Sequence, residues 1–73
     1  MALHDVPAPM TGTMKEVLVA VGDRVTTGEE IIIIESMKME IPVESPAAGT
    51  IAEIVVEPPG RVEEGDIIMR IEV

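Results

Sequence analysis

The chain has 73 residues, a formal net charge of −9, a sequence pI near 4.3, no cysteine and no Phe, Trp or Tyr. One small domain over residues 1–73 is expected, with an aliphatic core; a chain of this size buries only about 60% of its unfolded surface, which leaves no room for a deep catalytic cleft. The acidic balance repels nucleic acid and anionic membranes, disulfides are excluded, and no secretory leader or membrane-length apolar run is visible, so neither is expected.

In chain order, segments rich in β-branched residues predict strands over Leu3–Pro7, Thr13–Val21 and Glu30–Glu35 in the first half. The second half is predicted to hold strands over Met39–Glu44, Thr50–Glu57 and Asp66–Val73. Gly12, Gly22, Gly28, Gly49, Gly60 and Gly65, with Pro9, Pro46 and Pro58-Pro59, fall between these strands as turn residues. No segment sustains a helical period. No Pro/Ala-rich or Gly/Ser-rich linker flanks the elements, so a free-standing cytoplasmic chain is expected.

Shifted by 37 residues, the sequence matches itself. Pro9-Met10-Thr11-Gly12-Thr13 falls on Pro46-Ala47-Ala48-Gly49-Thr50, Arg24-Val25 on Arg61-Val62, Gly28 on Gly65, and Ile31, Ile34 and Glu35 on Ile68, Ile71 and Glu72. Stacked arrays need about three copies, so two copies closing on each other through a pseudo-two-fold axis fit better. The repeat breaks off at Glu35 and Glu72. Residues 36–38 thus form the crossover between halves, and the C-terminus is their counterpart. If the axis exists, Lys38 and the paired termini should lie at opposite ends.

That crossover is where the pattern departs from folding needs. Ile31–Ile34 leads in and Ile41-Pro42-Val43 leads out, so residues 36–39 should form or adjoin a hairpin tip. A two-residue tip calls for Asn-Gly or Asp-Gly, because both central residues take positive φ. Here the central pair is Met37-Lys38. A non-glycine residue in that region costs about 1–2 kcal/mol, which points to a tip kept for chemistry.

The remaining inventory is thin. His4, the only histidine, lies near a terminus and reads as a solvated residue. It supports neither a metal site nor a Ser–His–acid set. No phosphate-binding loop is present, and Glu29-Glu30 and Glu63-Glu64-Gly65-Asp66 read as solvated turn faces. No catalytic residue and no metal ligand is assigned, and a self-contained enzyme is not expected. Of two lysines, Lys15 reads as an outward-facing strand residue whose repeat mate is Ala52. Lys38 alone would read as an exposed turn charge. Met37 and Met39, as core filler, cannot easily both be buried beside a tip lysine; exposed methionines suit a surface that fits several partners.

Glu35-Ser36-Met37-Lys38-Met39-Glu40 resembles the biotin-attachment motif of biotin carboxyl carrier domains, whose centre is Met-Lys-Met. Pro7-Ala8-Pro9-Met10-Thr11-Gly12-Thr13, Val21-Gly22-Asp23-Arg24-Val25, Gly28-Glu29 and Ser45-Pro46-Ala47-Ala48-Gly49-Thr50-Ile51 extend the resemblance over nearly the whole chain. The resemblance implies an all-β fold: a flattened barrel or sandwich of two antiparallel sheets with quasi-two-fold symmetry. It implies that a biotin protein ligase joins biotin to the Lys38 amine. A biotin carboxylase would then load the tethered group, and a carboxyltransferase would unload it onto an acyl-CoA or a 2-oxo acid. Glu35, Ser36, Met37, Met39 and Glu40 would be read by the ligase and the other partners. The protruding thumb found in carriers of bacterial acetyl-CoA carboxylase has no counterpart between Pro9 and Gly12, so the chain looks like the thumbless type. Two alternatives share the fold: a lipoyl carrier, whose lysine usually follows Asp and precedes Ala, and an unmodified interaction module.

Overall fold

The computed structural model describes residues 2–73, which build eight strands and no helix. These are β1 (Leu3–Pro7), β2 (Gly12–Val17), β3 (Arg24–Val25), β4 (Glu30–Ser36), β5 (Met39–Glu44), β6 (Gly49–Ile54), β7 (Gly60–Val62) and β8 (Ile67–Glu72). They form two four-stranded sheets of order β1-β8-β6-β3 and β5-β4-β2-β7, antiparallel at every pairing.

The 37-residue shift carries one sheet onto the other. Under it β1, β8, β6 and β3 exchange with β5, β4, β2 and β7, which reproduces both strand orders. Registers follow: Leu3 faces Glu72 as Glu40 faces Glu35, and Val6 faces Met69 as Val43 faces Ile32. The connections repeat too. Ala8 N–H donates to the Asp66 carbonyl at 2.8 Å, and Ser45 N–H donates to that of Glu29 at 2.7 Å. The all-β, quasi-two-fold sandwich implied by the resemblance is the fold observed.

The core obeys the same symmetry. Its buried residues form seven mated pairs: Val6/Val43, Ala8/Ser45, Met14/Ile51, Val25/Val62, Ile31/Ile68, Ile32/Met69 and Ile34/Ile71. Ser45 is the single polar member, and its hydroxyl donates to the Ala47 carbonyl at 2.6 Å, so it is buried satisfied. An antiparallel sheet with one face inward explains the alternation of apolar and polar residues along each strand.

Two features differ from the sequence expectation. The predicted long strands Thr13–Val21 and Thr50–Glu57 end at Val17 and Ile54. Beyond these points the chain leaves its sheet, turns at Ala20–Asp23 in the first half, and enters the other sheet as β3 or β7. Each half thus has four strands where three were expected. The extra pair, two and three residues long, is too short to show a period. Gly12, Gly49 and Gly60 also lie inside strands, not between them. At Gly12 a Cβ would come within 2.6 Å of the Glu35 carbonyl oxygen, and at Gly49 within 2.2 Å of that of Glu72. Close backbone approach selects these glycines.

Candidate functional site

The hairpin of β4 and β5 is built from its base upward. Ile32 faces Val43, Ile34 faces Ile41, Glu35 faces Glu40, and Ser36 faces Met39 in the last pair. Ile31, Ile32 and Ile34 are fully buried, and β4 is hydrogen-bonded on both sides, to β5 and to β2. The tip therefore stands on one of the best-anchored strands of the molecule.

Two residues close the turn. Met37 has φ 52° and Lys38 has φ 66°, and they are the only non-glycine residues with positive φ among the described residues. Both values lie in the left-handed region and match the expected two-residue turn, whose twist suits a hairpin. The strain sits on the pair that the sequence analysis singled out.

Side chains at the tip face solvent. Met37 is 93% exposed and Met39 64% exposed, so neither is core filler. Lys38 is exposed and makes no ion pair among the described residues. Ser36 is half-buried, while Glu35 and Glu40 are exposed. Beside the turn lies an open depression of about 380 Å³ whose walls include Thr11, Thr13, Ser36, Lys38 and Arg61. Gly12 forms its floor, where the start of β2 presses on the end of β4.

One contact was not legible in the sequence. Lys15 is exposed, as expected, but it is not idle. Its Nζ donates to Glu40 Oε2 at 2.5 Å and lies 4.0 Å from Glu35 Oε2. The hydrogen bond and charge of Glu40, and then the charges of Glu35 and Glu16, raise its pKa above the ordinary lysine value. The acids read as solvated turn faces also have a use. Glu29 accepts from the Thr26 N–H at 3.1 Å and Asp66 from the Glu63 N–H at 2.9 Å, so both are turn braces. His4 lies exposed on β1, and the described residues contain no group of ligands able to hold a metal ion.

The arrangement presents a primary amine on a rigid corner, ringed by two flexible thioethers and two carboxylates. Among the described residues no side chain hydrogen-bonds or ion-pairs with that amine, and the depression beside it is open.

The family comparison fits a domain of this kind. Residues 4–71 match the family model described as "Biotin-requiring enzyme", and the chain belongs to that family. It is 44% identical over 36 residues to the 1.3S subunit of methylmalonyl-CoA carboxyltransferase of Propionibacterium freudenreichii, covering 49% of this chain and 29% of that one. It is 51% identical over 39 residues to the biotin carboxyl carrier protein of Streptococcus mutans, covering 53% of this chain and 30% of the other. Biotinylated protein TB7.3 of Mycobacterium tuberculosis is 45% identical over 40 residues, covering 55% of this chain and 56% of that one. Thus the matches take in little more than half of these relatives at most. Among solved structures, the urea carboxylase of Kluyveromyces lactis superposes with a TM-score of 0.91 at 32% identity, covering 99% of this chain and 6% of that enzyme. A single-chain, multi-domain long-chain acyl-CoA carboxylase superposes with a TM-score of 0.85 at 25% identity, covering 97% of this chain and 7% of the other.

Proposed function

We propose that residues 1–73 form a single biotin carboxyl carrier domain, with biotin held as an amide on the Lys38 Nζ. The observation that carries this reading is the strained Met37-Lys38 turn, which puts an unpaired amine at the outermost point of a rigid hairpin. The biotin-requiring family and the relatives named above as a carboxyl carrier and a biotinylated protein support it.

When bound, biotin supplies a ureido nitrogen that carries a carboxyl group between two active sites. This chain's own residues do the rest. Lys38 offers the nucleophilic nitrogen once a biotin protein ligase has taken its proton. The left-handed turn leaves Lys38 exposed at the tip, and the buried isoleucines of β4 anchor the hairpin beneath it. Met37 and Met39 give adaptable apolar contact to successive partners, while Glu35, Ser36 and Glu40 present polar groups at the base of the turn. Tethering raises the local concentration of the carried group at a biotin carboxylase and at a carboxyltransferase acting on an acyl-CoA or a 2-oxo acid. The domain performs delivery, not bond-making, and in this reading is not itself an enzyme. Its charge of −9 disfavours nucleic acid and anionic membranes as partners, and no helix among the described residues is long and apolar enough to cross a membrane. We place the carrier in the cytoplasm.

The test is the mass of the chain after co-expression with a biotin ligase and, separately, with a lipoyl ligase. The expected result is a gain of one biotin less one water, mapped by fragmentation to Lys38 and lost in Lys38→Arg. A gain of lipoate in its place, a label on Lys15, or no gain at all would overturn the proposal.

A further inference from the structure

We infer that Lys15 is a positioning residue for the tip. It locks the facing carboxylates Glu35 and Glu40 into one held unit, which the modifying enzyme engages through a cationic group of its own while it acts on Lys38. This rests on the reading of Lys38 as the attachment point.

The case begins with the register. Glu35 and Glu40 stand directly opposite each other, one step below the Ser36–Met39 pair that closes the turn. Like charges so placed repel, and no turn residue relieves the strain above them. Lys15 arrives from β2, on the far side of β4. Its Nζ reaches across to Glu40 at 2.5 Å, with Glu35 at 4.0 Å. A bulge between Met14 and Glu16 makes room for it, because the register there skips one residue.

The repeat supplies an independent control within the same molecule. The second half keeps the bulge, between Ile51 and Glu53, but fills it with Ala52. There the pair equivalent to Glu35–Glu40 is Glu72–Leu3, which holds one carboxylate and no tip. The fold thus builds the same bulge without a lysine. The lysine occurs in the half that carries the facing acids and the amine. All three side chains are also about half-exposed, and ion pairs so placed contribute little to stability. The contact is therefore better explained by presentation than by folding.

Presentation has a chemical meaning. Two carboxylates with one ammonium between them carry a net single negative charge, fixed at the base of the turn. An incoming guanidinium or ammonium meets a Glu40 carboxylate already held by Lys15, with Glu35 close by, so less ordering is left to the partner. Without Lys15 the acids splay apart, and the partner must order them itself.

The experiment measures transfer of biotin to the purified apo chain by a biotin protein ligase with ATP, for wild type, Lys15→Met, Lys15→Arg, Glu40→Gln and the double variant Lys15→Met/Glu40→Gln. For Lys15→Met the expected result is a rise in KM of about three- to tenfold, the scale of a charged contact at a partly exposed interface, with kcat close to wild type. Lys15→Arg restores KM. The double variant is no worse than the poorer single one, because the two residues act as a unit. Thermal midpoints of all variants stay together, which separates positioning from unfolding. A KM for Lys15→Met that is unchanged or lower overturns this inference alone, as does a KM rise that tracks a fall in thermal midpoint. A wild-type chain that accepts no biotin overturns the reading of Lys38 and this inference with it.

Discussion

Replacing Lys38 by glycine should stabilise the apo domain while removing the proposed attachment point. Both central residues of the turn have left-handed backbone, at φ 52° and 66°, a conformation that costs a side-chain-bearing residue about 1–2 kcal/mol. Glycine escapes that strain but gives back about 0.4–1 kcal/mol through its freer unfolded chain. At the middle of each range the net gain for Lys38→Gly is about 0.8 kcal/mol, because the lysine side chain makes no ion pair among the described residues to be lost. For a domain of this size, about 4–8 °C per kcal/mol converts that into a rise in thermal midpoint of about 3–6 °C. Far-UV circular dichroism is the assay, since the chain has no aromatic residue to report. Lys38→Ala is the control: it keeps the Cβ and hence the strain, and should stay within about 0.5 kcal/mol of wild type. If Lys38→Gly melts at or below the wild-type temperature, or if Lys38→Ala gains as much, the strain argument is refuted.

Three further outcomes are expected. Gly12→Ala should destabilise the domain by about 1–3 kcal/mol in denaturant titration, because the new Cβ would sit 2.6 Å from the Glu35 carbonyl oxygen and 2.8 Å from Ile34 Cγ2; an unchanged midpoint would show that β2 can withdraw freely from beneath the tip. Limited peroxide should convert Met37 to its sulfoxide first and Met39 next, while Met14 and Met69, both 0% exposed, stay reduced; peptide mass mapping that finds the buried pair oxidised first would contradict the packing. Thermal unfolding of apo and biotinylated forms should give closely similar midpoints, because all seven mated core pairs lie outside residues 36–39; a disordered apo chain by NMR would show that the core is not self-sufficient.

How much of this was legible in the sequence varied with the range of the cause. Ile31–Ile34 and Ile41-Pro42-Val43 declare a hairpin locally, and a missing Asn-Gly at its tip declares a strained pair; the positive φ of Met37 and Lys38 followed. The 37-residue repeat foretold two halves closing through a pseudo-two-fold axis, and the resemblance implied two antiparallel sheets; both are present. Arg24-Val25 and Arg61-Val62 were seen as mates but not as strands. Two residues carry no period, and their pairing exists only because the chain changes sheet after Val17 and Ile54. The Lys15–Glu40 contact was out of reach for a similar reason. It joins residues 25 apart in sequence through a bulge and across an intervening strand, and neither is written in local composition. The Met37-Lys38 pair stood out by its departure from turn chemistry, and Glu35, Ser36, Met39 and Glu40 through the resemblance; Lys15 obeys every local rule and so gave no signal.

A duplicated chain offers its own reference for separating fold from function. Where both copies agree, the agreement is in packing: seven buried pairs, two bulged strands and matching turn bonds. Where they disagree, the fold has tolerated either choice, and some other demand decided. Lys15 stands where its copy has Ala52, Glu40 where its copy has Leu3, and Met39 where its copy has Ala2. These three lie within one step of the turn or reach over to it, and all are exposed. Asymmetry elsewhere takes a different form. Arg70 bridges Asp5 and Glu53 in the other sheet, at 3.0 and 2.8 Å, whereas the corresponding row reads Ile33, Pro42 and Glu16, with no cation. Among the described residues each sheet thus keeps a single bridging cation, but at different heights: the middle of the sheet in one, the tip end of the hairpin in the other. A stabilising bridge could sit at either height, so stability does not choose between them. The proposed role of the tip does, because there two carboxylates flank the amine that, on that reading, a partner must reach.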